Sequence, residues 1–116
     1  MQVGFGNLPY FILQHLEQKK DLGIHTQMIT DAFIPLFEKG VITNKKKNFL
    51  TDRAVATICM GSKKIYDYID KNPRFYFRSS DFVNDPVVVA RNDNFISISS
   101  ALEVDLSGQV CSDSLY

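Results

Sequence analysis

The run Ala54-Val55-Ala56-Thr57-Ile58-Cys59 predicts a buried strand, because a short apolar run of this kind is typical of one. Gly61-Ser62 then opens a segment whose apolar residues, from Ile65 to Ile69, follow helical spacing. That helix is expected to end near residue 72, since Pro73 disfavours helical geometry in the residue before it. Phe75-Tyr76-Phe77 follows as another strand. The stretch therefore predicts a strand–helix–strand unit.

On the amino-terminal side, the pattern predicts two helices with a strand between them. Residues 7–20 open with Asn-Leu-Pro and carry apolar residues at helical spacing, which predicts a helix. Residues 22–29 alternate in part and contain β-branched side chains, which predicts a strand. Thr30-Asp31 offers a helix cap and Gly40 a stop, so a second helix is expected between them.

On the carboxyl-terminal side, one segment is ambiguous and one is clear. Asp85-Pro86 can start a short helix, whereas Val87-Val88-Val89 favours a strand, and the sequence leaves both open. Residues 95–106 alternate as a strand, and the turn at Ser107-Gly108 predicts a closing hairpin with residues 109–111. Strands alternating with helices predict an α/β sandwich with at least part of its sheet parallel.

Composition and charge set the broad class of the protein. The 116 residues are 45% hydrophobic and 22% charged, which is the balance of one globular domain. Thirteen basic and thirteen acidic residues leave no surplus of positive charge, so a nucleic-acid partner is not expected. The basic run Lys45-Lys46-Lys47 is interpreted as a solvated loop rather than a phosphate contact.

Cysteine usage and hydropathy bear on the compartment. Cys59 and Cys111 stand far apart without a CxxC motif, so we expect buried, reduced thiols and neither a metal site nor a disulfide framework. No apolar run approaches the roughly 20 residues that span a bilayer, and the first residues lack a basic leader pattern. A soluble, cytoplasmic protein without a membrane partner is expected.

Three segments carry residues suited to chemistry. Val3-Gly4-Phe5-Gly6-Asn7 runs into a helix and suits an anionic or carbonyl oxygen, although a tight strand-to-helix turn explains it equally well. In the segment 23–31, His25 is a candidate general base but more often such a histidine is structural, and Asp31 is better placed as a helix cap than as an acid. Asn84 can donate to an oxyanion or form the turn before proline.

Seven blocks of the chain resemble the C-terminal domain of acetyl-CoA hydrolase/transferases, a group that includes 4-hydroxybutyrate, butyrate and succinate:acetate CoA-transferases. The blocks are residues 2–9, 21–31, 40–47, 60–64, 66–69, 83–86 and 100–110. The resemblance covers essentially the whole chain. It implies a layered α/β sandwich of the NagB/RpiA-like type with a mixed, partly parallel sheet. It also implies that residues 1–116 are a single domain, as a fragment of the C-terminal domain of a larger two-domain enzyme.

The resemblance implies a ping-pong transfer of CoA between an acyl-CoA and a small carboxylate. In the family a glutamate carboxylate attacks the thioester and then carries CoA as a glutamyl thioester. CoA thioesters would thus be substrates, and no cofactor is expected to be bound permanently. By motif position, Asn84 corresponds to the active-site asparagine, and Gly4 and Gly6 belong to the glycine-lined wall.

Two departures from the family pattern bear on activity. Gln27 stands where the family has its nucleophilic glutamate, and a neutral amide is a poor nucleophile towards a thioester. The nearest replacements, His25 and Asp31, lie an even number of residues away, so the sequence prefers neither. The family's upstream domain and a downstream Gly-Ile-Gly-Gly segment are missing, so we expect this chain alone to be inactive.

Two further interpretations accompany the transferase. A non-catalytic homologue that binds acyl-CoA or a partner domain is the alternative, and Gln27 is the residue that separates the two. A dinucleotide binder is poorly supported, because Gly4-Phe5-Gly6 lacks the rest of that fingerprint. Self-association into a homo-oligomer is left open by the sequence.

Overall fold

A computed structural model of the chain describes residues 1–112; residues 113–116 of the expected domain lie outside the described residues. The strands are β1 (Gln2–Val3), β2 (Met28–Ile29), β3 (Ala54–Ala56), β4 (Ile58–Cys59), β5 (Phe75–Phe77), β6 (Ser97–Ile98), β7 (Glu103–Val104) and β8 (Val110–Cys111). The helices are α1 (Asn7–Gln14), α2 (Ile34–Glu38) after a 3₁₀ turn at Asp31–Phe33, α3 (Lys63–Ile69), α4 (Ser80–Val83) and α5 (Pro86–Val89).

Most strand pairing in the described residues is parallel. β1 pairs with β6, β2 with β4 and β3 with β5, all parallel, whereas β7 and β8 form an antiparallel hairpin. Backbone bonds join these pairs side by side, because His25 N–H donates to the Met1 carbonyl at 3.0 Å and Thr26 N–H to the Val55 carbonyl at 2.9 Å. The expected α/β architecture with a partly parallel sheet is confirmed.

The predicted strand–helix–strand unit is present as β3, α3 and β5, with Ala54 level with Phe75 in the parallel register. The run 54–59 is divided at Thr57, because the Gln27 carbonyl accepts both the Thr57 N–H at 3.0 Å and the Ile58 N–H at 2.9 Å. Two residues on one strand thus face one on the other, which is the arrangement of a bulge.

The strand predicted over residues 22–29 is wrong for most of its length, since only its last two residues form β2. Residues 22–27 pair with neighbouring segments only through isolated parallel bridges. Side chains accept or donate some of the hydrogen bonds that backbone groups would make in a regular strand. The Thr26 hydroxyl accepts the Val3 N–H and donates to the Val3 carbonyl, both at 3.1 Å. The buried Asn44 side chain accepts the Ile24 N–H at 2.8 Å.

Three other predicted boundaries differ from the structure. The helix over 7–20 ends at Gln14, and tighter i→i−3 bonds, such as Lys19 N–H to the Leu16 carbonyl at 2.9 Å, carry the chain onward as turns. The ambiguous segment is helical: Pro86 opens α5, and the Asp85 carboxylate accepts the Val87 N–H at 2.8 Å. The strand over 95–106 contains only β6 and β7, and the closing hairpin is confirmed.

The core lies between the parallel strands and helices α1 to α3. Its buried members are Val3, Leu13, Ile24, Ile29, Phe33, Ile34, Leu36, Phe37, Val41, Ile42, Ala54, Ala56 and Ile65. The hairpin of β7 and β8 lies apart from this core, with Val104, Leu106 and Val110 exposed. Within residues 1–112, no helix has the length and hydropathy to cross a membrane.

Candidate functional site

Gln27 and Asn84 line the same cavity, although they are far apart in the sequence. The cavity has a volume of about 440 Å³. We call it the amide cavity, and it is lined by Gln2, His25, Thr26, Gln27, Val83, Asn84, Val89, Phe95 and Ser97. The parallel sheet supplies one wall and the corner between α4 and α5 supplies another.

The backbone fixes both amide residues while their side chains stay unengaged. Gln27 is held by its carbonyl at the bulge, and Asn84 by its N–H, which donates to the Ser80 carbonyl at 2.9 Å. Both side chains are exposed, and neither makes a hydrogen bond to any residue from 1 to 112. A side-chain amide in this state has its donor and acceptor available for a ligand.

His25 joins the two walls of the amide cavity. The residue is 1% exposed, and its Nε2 lies 2.8 Å from the carbonyl oxygen of Val83, the residue before Asn84. Burial lowers the pKa of His25, with the Val83 hydrogen bond opposing that shift, and nearby Lys47 lowers it further. The ring is therefore neutral at pH 7 and donates through Nε2.

Gly4 and Gly6 lie in a different cavity, at the carboxyl ends of β1, β2 and β4. This carboxyl-edge cavity has a volume of about 590 Å³ and is mostly apolar. Its lining residues are Val3, Gly4, Phe5, Gly6, Asn7, Tyr10, Leu13, Met28, Thr30, Asp31, Ala32, Phe33, Met60 and Gly61. The structure thus brings Gln27 and Asn84 together and sets the two glycines apart from them.

Local packing accounts for both glycines. The Gly4 N–H donates to the Ile98 carbonyl at 2.7 Å, and a Cβ on Gly4 would lie 3.2 Å from the Ser99 hydroxyl. Gly6 has a φ of 124° at the start of α1, a conformation open to glycine. The sequence favoured a tight strand-to-helix turn and a ligand-binding role equally. These contacts support the turn.

Asp31 makes a contact that the sequence did not predict. Its carboxylate accepts the backbone N–H of Ser62 at 2.7 Å and the Ser62 hydroxyl at 2.8 Å, and the backbone bond is the main cause of its lowered pKa. The carboxylate thus holds the start of α3, rather than capping the turn at its own position. A Cβ on Gly61 would lie 2.5 Å from this carboxylate, which explains the glycine there.

Lys47 differs from its two neighbours in the basic run. Lys45 and Lys46 are exposed, as a solvated loop predicts, but Lys47 is half-buried. Its Nζ donates to the Ile24 carbonyl at 2.8 Å and to the Arg53 carbonyl at 2.7 Å, and burial lowers the pKa of Lys47 to about 8. The interpretation as a solvated loop is therefore wrong for Lys47, which ties two backbone segments together.

The two cysteines differ from the expectation of buried thiols. Cys59 and Cys111 are half-buried rather than fully buried, and burial raises the pKa of Cys59. Residues 1–112 contain no group of three or more His, Cys, Asp or Glu side chains close enough to hold a metal ion.

Comparison with known proteins connects this geometry to a family. Residues 61–116 match the family model described as the acetyl-CoA hydrolase/transferase C-terminal domain. The chain is 47% identical over 115 residues to 4-hydroxybutyrate coenzyme A transferase of Clostridium kluyveri, covering 99% of this chain and 27% of that protein. It is 40% identical over 114 residues to succinyl-CoA:cyclohexane-1-carboxylate CoA transferase of Geobacter metallireducens, covering 98% of this chain and 26% of that one.

Solved structures agree with the sequence matches. RipA from Yersinia pestis superposes with a TM-score of 0.91 at 38% identity, covering 98% of this chain and 26% of RipA. A 4-hydroxybutyrate CoA-transferase from Porphyromonas gingivalis gives a TM-score of 0.91 at 42% identity, covering 94% of this chain and 28% of that structure. The chain thus spans about a quarter of the length of the relatives it matches.

Proposed function

Because the chain belongs to the acetyl-CoA hydrolase/transferase family, as its C-terminal domain, we propose that it forms part of an acyl-CoA:carboxylate CoA-transferase. Its match to about a quarter of each relative supports a fragment of a larger enzyme. We propose that this enzyme has two domains and that the fragment has the layered fold of the NagB/RpiA-like type. Its substrates would be an acyl-CoA and a small carboxylate, in keeping with the names of the relatives. No permanently bound cofactor is needed for this reaction, and we place the enzyme in the cytoplasm.

The observation that carries this proposal is the convergence of Gln27 and Asn84 in the amide cavity. In the reaction proposed for the family, a glutamate oxygen at position 27 attacks the thioester carbon, the C–S bond breaks and CoA leaves as a thiolate. The thiolate then attacks the glutamyl carbon of the resulting anhydride and releases the acyl group as a carboxylate. An incoming carboxylate then attacks the glutamyl carbon of the thioester, the C–S bond breaks and a new anhydride forms. The released CoA thiolate attacks the acceptor's acyl carbon, which gives the new acyl-CoA and frees the glutamate carboxylate.

Asn84 would stabilise the oxyanions of these steps. Each attack on a carbonyl places negative charge on an oxygen, and a fixed N–H donor beside that oxygen lowers the barrier. Asn84 has a side-chain amide without a hydrogen-bond partner among residues 1–112, and it faces the same cavity as position 27. The residue types and their shared cavity therefore suit a nucleophile position with an oxyanion donor beside it.

Gln27 favours a second candidate function. An amide nitrogen shares its lone pair with the carbonyl and cannot form the glutamyl thioester as a carboxylate does. The chain would then belong to a homologue that binds acyl-CoA or a partner domain without turnover. If this second function is the right one, the full-length protein with Gln27 shows no CoA transfer.

The test is Gln27→Glu in the full-length enzyme, with Gln27→Ala as the matched control. CoA transfer from an acyl-CoA to acetate should rise by orders of magnitude in Gln27→Glu only, because a carboxylate at position 27 can attack the thioester and an amide or a methyl group cannot. Intact-mass spectrometry during turnover should show a covalent CoA adduct in Gln27→Glu. A CoA adduct on the protein with Gln27, or equal activity in all three proteins, would show that another residue is the nucleophile.

A further inference from the structure

His25 makes the one side-chain hydrogen bond that we find between the strand side of the amide cavity and the Asn84 side, within residues 1–112. Its backbone lies in the sheet, bridged in parallel to Val55. Its ring reaches the carbonyl of Val83, the last residue of α4, and packs edge to face against Phe95 with centroids 6.2 Å apart. Ring and partner are both buried, since Val83 is also 1% exposed.

The hydrogen-bond pattern defines which ring nitrogen carries the proton. A carbonyl oxygen only accepts, so Nε2 must hold the hydrogen that it donates to Val83. Nδ1 is then the bare nitrogen, and it is buried without a hydrogen-bond partner among the described residues. This lone pair is shielded from solvent, so it is poorly placed to take a proton from a water or to attack a thioester.

Position 25 is linked to both amide residues. His25 and Gln27 are two residues apart, and both line the amide cavity. Val83 immediately precedes Asn84, whose own side chain has no hydrogen bond to hold it within residues 1–112. The His25 bond therefore ties the backbone beside Asn84 to the segment that carries position 27.

Resting on the function proposed above, we propose that His25 is a positioning residue, which holds Asn84 at the distance from position 27 that oxyanion stabilisation requires. Donors of this kind act only when they are held within a fraction of an ångström of the developing charge. His25 does so through a neutral Nε2–H that donates to Val83. It exchanges no proton with the substrate.

Two substitutions separate the roles of the two ring nitrogens. The side-chain nitrogen of glutamine reaches about as far as Nε2, whereas that of asparagine reaches only as far as Nδ1. In full-length enzyme carrying Gln27→Glu, His25→Gln should keep most of kcat, whereas His25→Asn should lower kcat about 10²-fold. KM should change little in either, because Asn84 acts on the transition state.

The outcome of this pair decides the role of His25. Equal losses in His25→Gln and His25→Asn, or a loss confined to KM, would overturn the proposal. His15→Gln is the matched control, because His15 is the other histidine of the chain and is exposed. It should leave kcat and KM unchanged.

A second measurement does not depend on activity. In full-length protein with Gln27 retained, hydrogen–deuterium exchange of residues 80–86 should speed up at least tenfold in His25→Phe and stay unchanged in His25→Gln. Unchanged exchange in His25→Phe would overturn the proposal even if the enzyme is active. If the exchange pattern is as expected but the Gln27→Glu protein is inactive, the transferase function is rejected. The role of the His25–Val83 hydrogen bond in holding Asn84 would still stand.

Discussion

The amide cavity and the carboxyl-edge cavity differ in what their residues are bound to. Gln27 and Asn84 present side chains that have no hydrogen-bond partners within residues 1–112. In the carboxyl-edge cavity, Asp31 is bound to Ser62 and Gly4 to the strand beside it, so packing within the fold accounts for them. A motif residue with unengaged polar atoms is a better functional candidate than one whose atoms are already used by the fold.

Asn84→Ala tests the amide cavity and should have the largest effect. In full-length enzyme carrying Gln27→Glu, loss of one oxyanion donor should lower kcat about 10²- to 10³-fold. The melting temperature should stay the same, because the Asn84 side chain is exposed and makes no hydrogen bond in the described part of the chain. Ser80→Ala, another exposed position in α4, is the control. A melting temperature that falls with activity would make Asn84 structural.

Gly6→Ala tests the carboxyl-edge cavity. At a φ of 124° a side chain is strained, so the free energy of unfolding should fall by about 1–3 kcal/mol. Chemical denaturation measures this, and Gly108→Ala, at a φ of 89° with no atom near the added Cβ, shows the backbone cost away from the cavity. In full-length enzyme carrying Gln27→Glu, a loss of CoA transfer at unchanged stability would break the comparison, because Gly6 would then act on the ligand.

Ser62→Ala should have a smaller effect on stability. The Ser62 hydroxyl donates to Asp31 and accepts the Lys64 N–H at 3.2 Å, so it is the cap of α3. Loss of such a cap costs about 1 kcal/mol. Thermal unfolding at pH 7 measures the change, and Ser80→Ala is again the control. A larger loss of stability would mean that the contact between Asp31 and Ser62 stabilises more of the wall of the carboxyl-edge cavity than the first turn of α3.

The pH dependence of stability is the smallest effect we expect. Burial lowers the pKa of His25 below 6.5 in the folded state, so the unfolded chain binds the proton more tightly. Stability should therefore be full above about pH 6.5 and fall as the pH drops towards the folded pKa.

A variant isolates the histidine part of this dependence. Urea unfolding between pH 5 and 7 should show a shallower slope in His25→Gln than in the parent protein, because glutamine does not titrate. Equal slopes would mean that folding does not lower the pKa of His25.

The sequence predicted those elements whose signals are local. The run 54–59, the helix beginning after Gly61 and the strand at Phe75–Phe77 were predicted because apolar periodicity and a proline define them. The resemblance to the family is confirmed by the family model and the relatives. At Pro86–Val89 the helix forms although three β-branched residues favour a strand. The Asp85 carboxylate caps this helix and Pro86 opens it, and these two signals outweigh the strand preference.

The sequence could not predict contacts between distant segments. The donation of the Thr26 hydroxyl and the burial of Lys47 depend on which strand lies beside which, and residue spacing carries no such information. The sequence also could not show that Gln27 and Asn84 line one cavity and Gly4 and Gly6 another, because this too depends on which strands are neighbours. The structure explains the glycine at position 23, because a Cβ there would overlap the side chain of Lys47.

The Thr26 hydroxyl has a consequence for how the sheet opens. The Val3 amide is protected by a side-chain oxygen that rotates about one bond, whereas its neighbours in the sheet are protected by backbone partners. Rotamer hops occur far faster than the separation of two strands. Hydrogen exchange at the Val3 amide should thus follow the local motion of the Thr26 side chain. Exchange at other amides of a sheet ordinarily requires the strands to separate cooperatively.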